Sequence, residues 1–237
     1  MKEWFPIAND ESKPIPFGER AFSFFYPDLC AACKAPGHWN LCPECRESME
    51  AYFRPCRYLC KEGNGFADDM LALFPYDCVA VKKIMFSWKN HSYREYSRVM
   101  GHYLERACGQ KCFFHGIDRV TYVPRQGFAR FWAGFDQAEV IGGAVARILG
   151  LPLERLLTRK GVRLPQRSLP VASRPANVRG VFHPLCPLQG ETVLLVDDVV
   201  TSGSSARECA RILKGAGAQK VYVLSVAHPF LPLPDEK

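Results

Sequence analysis

The stretch Val193-Leu194-Leu195-Val196-Asp197-Asp198-Val199-Val200-Thr201-Ser202-Gly203-Ser204-Ser205 constrains this chain more than any other. The apolar run predicts a buried strand over Thr192–Val196, and Ala206, Ala210 and Leu213 mark one face of a following helix that Gly215-Ala216-Gly217 ends. Such a strand delivers Asp197 and Asp198 to the carboxyl edge of a sheet, where open α/β folds bind their ligands. Both carboxylates are expected to be exposed to a cleft and free of packing duties. Thr201, Ser202, Gly203, Ser204 and Ser205 bring hydroxyls, a glycine and amides to the start of a helix, where a phosphate is favoured. Carboxylates that accept from vicinal hydroxyls beside a phosphate loop describe a site for a ribose 5-phosphate. The plainer alternative is an ordinary βα turn with an Asp near a helix N-cap.

The surrounding pattern supports a sheet. A strand is expected over 117–123, closed by Pro124, and another over 220–226. Helices are expected over 78–89, 94–108 and 137–149, the last with Gly150 as its C-cap. A short extended segment is expected near 153–157, and 159–184 reads as a long Arg-, Pro- and Ser-rich loop or hood. Strands alternating with helices predict an α/β fold, a parallel sheet of about five strands flanked by helices. At 237 residues and 48% apolar composition the chain can build one such domain with a small appendage. The division expected is a mobile extension over 1–26, a cysteine-rich module over 27–62 and the main domain over 63–237.

Six of the eleven cysteines lie between Cys30 and Cys60. Cys30-x-x-Cys33 and Cys42-x-x-Cys45 are separated by eight residues, the spacing of a closed tetrahedral Zn²⁺ site that is structural rather than catalytic. Cys56 and Cys60 form a looser pair that is either buried or able to exchange with one of the four, and His38 is a further possible ligand. The start of the chain has no signal-like apolar region, and no stretch approaches the roughly 18 apolar residues of a membrane span. A cytoplasmic location follows as the expectation, without membrane insertion, and there cysteines serve metals before disulfides.

Two loops supply guanidinium and amide groups suited to oxygen-rich ligands. The first, 123–137, carries Arg125, Arg130, Gly134 and Gln137; the second carries Gln166, Arg174 and Asn177. For any single Arg, solvated surface charge is the commoner role.

The Asp-Asp string resembles the phosphoribosyl-diphosphate (PRPP) motif of type I phosphoribosyltransferases. The order CxxC…CxxC, Val-Pro with Gly-Phe-x-Gln, Gln…Arg-x-x-Asn-Val-x-Gly-x-Phe and Val-Asp-Asp-Val-x-Thr-x-Gly resembles the ComF family over about 27–228. That family comprises bacterial, competence-associated, phosphoribosyltransferase-like proteins with an N-terminal zinc module. The resemblance implies a type I phosphoribosyltransferase fold with a small zinc ribbon, and roles for Asp197 and Asp198 on the ribose. It also implies a 5-phosphate loop at Thr201–Ser205 and places Gly134, Phe135 and Gln137 on the family's diphosphate loop, where Arg125 and Arg130 are available to hold the leaving group. Structural Zn²⁺ and PRPP-bound Mg²⁺ are the cofactors expected. Where the family has Arg-Gly-Phe-Asn-Gln, this chain has Ala133 and Asp136 in the first and fourth places.

Three functions remain open on the sequence. One is transfer of phosphoribosyl to an unidentified nucleophile. A second is sensing of PRPP or a nucleotide-like small molecule without turnover. The third is an accessory role in natural transformation, with single-stranded DNA and the DNA-uptake machinery as partners. The net charge of +7, helix 78–89 with Lys82, Lys83, Phe86, Trp88 and Lys89, and loop 125–132 with Phe128, Phe131 and Trp132 combine charge with stacking surface for such a strand.

Overall fold

The computed structural model describes residues 29–38, 41–58, 67–90, 93–109, 116–125, 136–160 and 180–229, with backbone alone at 56–58, 87–90 and 93–98. In chain order the elements are α1 Pro43–Tyr52, β1 Cys56–Tyr58, β2 Asp69–Pro75, α2 Val79–Asn90, α3 Tyr93–Cys108, β3 Arg119–Tyr122 and α4 Gln137–Leu149. They continue with β4 Leu157–Arg159, β5 Phe182–Pro184, β6 Thr192–Val199, α5 Ser204–Gly215 and β7 Lys220–His228.

Strands buried at every position need a layer on each face of their sheet. Every residue of β2 is buried, as are seven of the eight in β6. The sheet order is β1-β2-β7-β6-β3. Strands β2, β7, β6 and β3 run parallel, while β1 joins the edge antiparallel to β2. The expected parallel sheet is therefore present with one antiparallel edge strand. Leu194 and Val196 turn to one face, into a core built with α2, α3 and α4. Val193 and Leu195 turn to the other, against α5 and the two-stranded ribbon β4–β5. This is the period-two alternation of a strand read across a two-sided sheet.

Helix α4 spans the residues its periodicity predicts, and Gly150 ends it in the left-handed region at φ 67°. Strand β6 outruns its expected end at Val196 by three residues, because the pairing with β7 continues through Asp197↔Ser225 to Val199↔Ala227. Strand β2 and helix α1 were not foreseen. An unbroken apolar run shows no alternation, and α1 is rich in Glu and begins inside the cysteine motif.

Cys30, Ala31, Ala32, Leu41, Cys42 and Met49 share the core of α2–α4. The cysteine-rich stretch and the sheet are thus packed as one body. The joint is aromatic. The rings of Phe53, Phe74 and Tyr103 lie 4.9–5.5 Å apart, Arg106 stacks 4.4 Å above Phe53, and its Nη1 donates to Glu50 at 2.7 Å. Phe74 has no exposed surface and touches both other rings. Phe74→Ala is expected to lower stability by about 3–5 kcal/mol, read as a shift of the urea midpoint at unchanged m-value.

Candidate ribose-phosphate site and metal centre

Because β6 runs on to Val199, Asp197 and Asp198 lie within the sheet rather than beyond it, and both are buried, at 9% and 7% exposure. The expectation of two exposed carboxylates is corrected by this longer register. The pleat sends the two side chains to opposite faces. Asp197 lies on the α5 side, where its charge acts on the buried thiol of Cys209. Asp198 lies on the α4 side and pairs with Arg125. Local hydrogen bonds fix the turn: the Asp198 amide donates to Asp197 Oδ1 and the Val199 amide to Asp198 Oδ1, both at 2.9 Å. The Val200 amide donates to Ser225 Oγ at 3.1 Å, and that hydroxyl donates to the Ala227 carbonyl at 2.8 Å.

Beyond the carboxylates, Thr201 and Ser202 are exposed, and Gly203, Ser204 and Ser205 are half-buried. Gly203 is the N-cap of α5 at φ 70°, a conformation that a side chain opposes. With no side chain of its own, the cap leaves the first-turn amides of α5 facing an incoming anion. The hydroxyls of Ser202 and Ser204 stand 2.9 Å apart beside them. Residues 201–205, where a phosphate loop was expected, form a helix N-terminus lined with hydroxyls.

Strand β3 ends next to β6, where Val123 donates to the Val196 carbonyl at 2.9 Å, so Arg125 arrives beside Asp198. Its backbone amide donates to Asp136 Oδ2 at 2.9 Å, while Asp136 Oδ1 caps α4 by accepting from Ala138 at 3.1 Å. Burial raises the Asp136 pKa, against the hydrogen bond and charge of Arg125. The next residue, Gln137, is 1% exposed, and its Oε1 finds no hydrogen-bond partner among the described residues. On the opposite face the charges follow Asp197, Cys209 and Arg159. Burial raises the Asp197 pKa well above the ordinary carboxylate value, reinforced by the neighbouring Asp198 charge. Burial likewise raises Cys209 and lowers Arg159, whose guanidinium lies 5.4 Å from the Phe182 ring and whose Nε is buried without a partner among the described residues.

The structure brings together Asp197, Asp198, Arg125 and loop 201–205, with Gln137 next in sequence to the Asp136 that holds the Arg125 amide. Arg130, Gly134, Gln166, Arg174, Asn177 and Cys60 lie outside the described residues, as do the 1–26 extension and Phe128, Phe131 and Trp132. Asp136, Arg159 and Ser225 were missed as site residues. A lone Ser inside the apolar β7, in register with Asp197, is a signal that could have found Ser225; nothing local marks Arg159.

Cys30, Cys33, Cys42 and Cys45 converge, with all four sulfurs within 4.8 Å of one another and Cys33 Sγ 3.6 Å from Cys42 Sγ. The first pair sits on a tight turn in which the Lys34 amide donates to the Cys30 carbonyl at 2.9 Å and Lys34 takes a left-handed φ of 65°. The second pair starts α1, with Cys42 as N-cap and Pro43 following. Burial raises the Cys30 pKa, but amides of Cys33, Cys42 and Ala32 outweigh it and lower the thiol to about 6. Burial and the neighbouring sulfurs push Cys45 up instead. A divalent cation among the sulfurs would remove this conflict. Tetrahedral ligands at about 2.3 Å from zinc stand roughly 3.8 Å from one another, close to the spacing here.

A family model described as "Phosphoribosyl transferase domain" matches residues 136–229, from the α4 cap through the end of β7. DNA utilization protein YhgH of Escherichia coli (strain K12) is 26% identical over 83% of this chain and 95% of its own length. Competence protein F of Haemophilus influenzae is 24% identical over 84% of this chain and 90% of its own length. Orotate phosphoribosyltransferase of Methylococcus capsulatus is 38% identical over a shorter stretch, 39% of this chain and 44% of its length. The resemblance to the ComF family and the phosphoribosyltransferase fold read from the motifs are borne out by these relatives and this domain.

The raised Asp197 pKa has a definite sign for stability. A carboxyl that binds its proton more tightly folded than unfolded makes stability fall as pH rises from the unfolded pKa, near 3.8, through the folded one. Asp197→Asn removes that titration. The variant is expected to lose less stability than the parent as pH climbs above about 4, the Tm gap widening in its favour until Asp197 is fully ionised. Melting curves of both proteins from pH 4 to 9 check this; parallel profiles would contradict it.

Proposed function

We propose that this chain, a homologue of YhgH and Competence protein F carrying a phosphoribosyl transferase domain, binds PRPP or another ribose-5-phosphate ligand at the carboxyl edge of β6. The observation that carries the reading is the junction of Asp197-Asp198 with a helix N-terminus capped by Gly203 and lined with serine hydroxyls. The α5 amides with Thr201, Ser202, Ser204 and Ser205 hold the 5-phosphate. Asp198 accepts from the ribose hydroxyls, with Asp197 next to it in the strand, and the negative charge of Asp198 favours the cationic character that C1 gains as its bond to diphosphate breaks. The Arg125 guanidinium is placed to meet the diphosphate, and Gln137 Oε1 is an acceptor for a ligand hydroxyl or N–H. Mg²⁺ carried in on PRPP would neutralise diphosphate charge with few protein ligands, as this ion commonly does. A nucleophile takes over C1, diphosphate leaves, and the nucleophile's proton passes to solvent. Positioning and electrostatics suffice for such a step, so no covalent intermediate is invoked.

The same reading places structural Zn²⁺ on Cys30, Cys33, Cys42 and Cys45, and the protein in the cytoplasm, where thiols stay reduced. Zinc there would anchor the start of α1, and through the aromatic joint of Phe53, the α3 side of the core. Elemental analysis of protein purified without added metal is expected to find one zinc per chain, and chelation to lower Tm.

A second reading has its own observation. On α2 the exposed Val79, Lys82, Lys83 and Phe86 follow one another at helical spacing, Phe86 at 72% exposure. Lysines and an exposed aromatic on one helical stripe suit single-stranded DNA, with Lys82 also paired to Asp77 at 2.8 Å, consistent with a relative named for DNA utilization. Binding on this face would weaken with salt at a slope of about −0.7 per phosphate neutralised. It is compatible with PRPP binding.

Asp198→Asn tests the carboxylate of the site. Its amide keeps the size and retains an acceptor oxygen, but loses the charge that meets the ribose. Calorimetry with PRPP and Mg²⁺ is expected to show binding weakened by roughly 1.5–3 kcal/mol, the value of a charge-assisted hydrogen bond. A folded variant that binds as the parent does refutes the assignment.

A further inference from the structure

We propose that Asp136 is the positioning residue of this site: one carboxylate oxygen caps α4 while the other holds the Arg125 backbone, and this double attachment sets the guanidinium on Asp198. The inference rests on the proposed ligand for its consequence, though its geometry stands without any ligand.

Three elements meet through this chain of contacts. Asp136 is 2% exposed, and its two oxygens are divided between Ala138 N at 3.1 Å and Arg125 N at 2.9 Å. Arg125 lies just past β3, and its Nη2 donates to Asp198 Oδ2 at the end of β6. The Asp198 side chain is 9% exposed and that of Arg125 26%, so the ion pair is well shielded from solvent. Holding the Arg125 amide fixes the backbone position from which its side chain starts, at the distance from which the guanidinium reaches Asp198. An asparagine at 136 has one oxygen where Asp136 uses two, and its NH₂ would face one of the two amide donors. The carboxylate at this position is therefore what permits the double attachment.

Through its bond to Asp198 Oδ2 the guanidinium brings a positive charge to a buried carboxylate. On ligand entry Asp198 turns to the ribose hydroxyls, and Arg125, still held at its amide, is within reach of the diphosphate next to them. Asp136 acts on the ligand only through Arg125.

Asp136→Ser tests this, because Ser is as good an N-cap as Asp yet offers one oxygen where two are needed. Two measurements are made on the full chain. The first needs no ligand: the Arg125 Nε–H signal in ¹⁵N-correlated NMR, assigned by its loss in Arg125→Lys, is sharp when the guanidinium is held. Asp136→Ser is expected to broaden it or move it towards the free-arginine position at nearly unchanged Tm. The second is calorimetry with PRPP and Mg²⁺, where Asp136→Ser and Arg125→Met are each expected to weaken binding roughly tenfold, the loss from one hydrogen bond to a charged group. The double variant should be little worse than either, since both remove one function. If Asp136→Ser melts too low to use, Asp136→Asn is read in the same two ways.

An unchanged Arg125 signal overturns the proposal, and so do additive losses in the double variant, which would reduce Asp136 to a helix cap. If the parent protein itself fails to bind PRPP, the ligand reading falls while the NMR signal still decides the role of Asp136.

Discussion

The pairing of β6 with β7 through Asp197↔Ser225 is the constraint on which the site depends. A parallel ladder ending at Val196 would have left both carboxylates in solvent. Continuing it to Val199 buries them one on each face, and burial in a low-dielectric layer disfavours a carboxylate unless something answers its charge. The faces answer differently. Asp198 meets a guanidinium delivered from the end of the neighbouring strand. Asp197 faces apolar surroundings and a thiol, and holds its proton more tightly. Adjacent, chemically identical residues thus acquire different electrostatic characters from the period of the strand alone.

The cysteine cluster presents the same physical problem with a different solution. Four sulfurs gathered within 4.8 Å can share neither protons nor charges comfortably, and the amides turned onto Cys30 favour its thiolate while Cys45 is pushed the other way. The arrangement is satisfied by a soft divalent cation at its centre. Such an ion would act mechanically. Helix α1 begins at the cluster, and its other end brings Glu50 to Arg106 and leads to Phe53 against Phe74 and Tyr103. Metal affinity would therefore feed into the stability of the core on the α3 face, and from there into the strands that carry the carboxylates.

Much of the architecture was legible because local signals agreed with tertiary ones. Helix α4 shows a 3.6-residue apolar period between an Asp and a Gly, and it forms over those residues. The convergence of four cysteines followed from spacing alone. Strand β2 was illegible for the reason β6 was legible only in part: a strand covered on both faces has no alternation, and its end depends on its partner rather than on its own residues. The burial of Asp197 and Asp198 was hidden for the same cause. No feature of the string Val-Asp-Asp-Val announces that Ser225 and Ala227 lie alongside it. Arg159 was invisible as well, since its relation to Cys209 arises only when the β4–β5 ribbon folds over α5.

The division of labour between the two faces also bears on what kind of ligand the site can accept. Arg125 already compensates Asp198, so a ligand that engages this carboxylate must replace a charged hydrogen-bond donor and leave the guanidinium a new anionic partner. A neutral sugar offers hydroxyls but nothing for Arg125, and an isolated phosphate offers an anion but nothing for Asp198. On the proposed reading, a molecule that carries vicinal hydroxyls flanked by phosphate on both sides would satisfy the carboxylate, the guanidinium and the α5 amides together. PRPP has that distribution of groups, with its 5-phosphate at one end of the ribose and its diphosphate at the other. The pair of Arg125 and Asp198 would then favour such a ligand, because a partial ligand leaves one of its two charges unanswered.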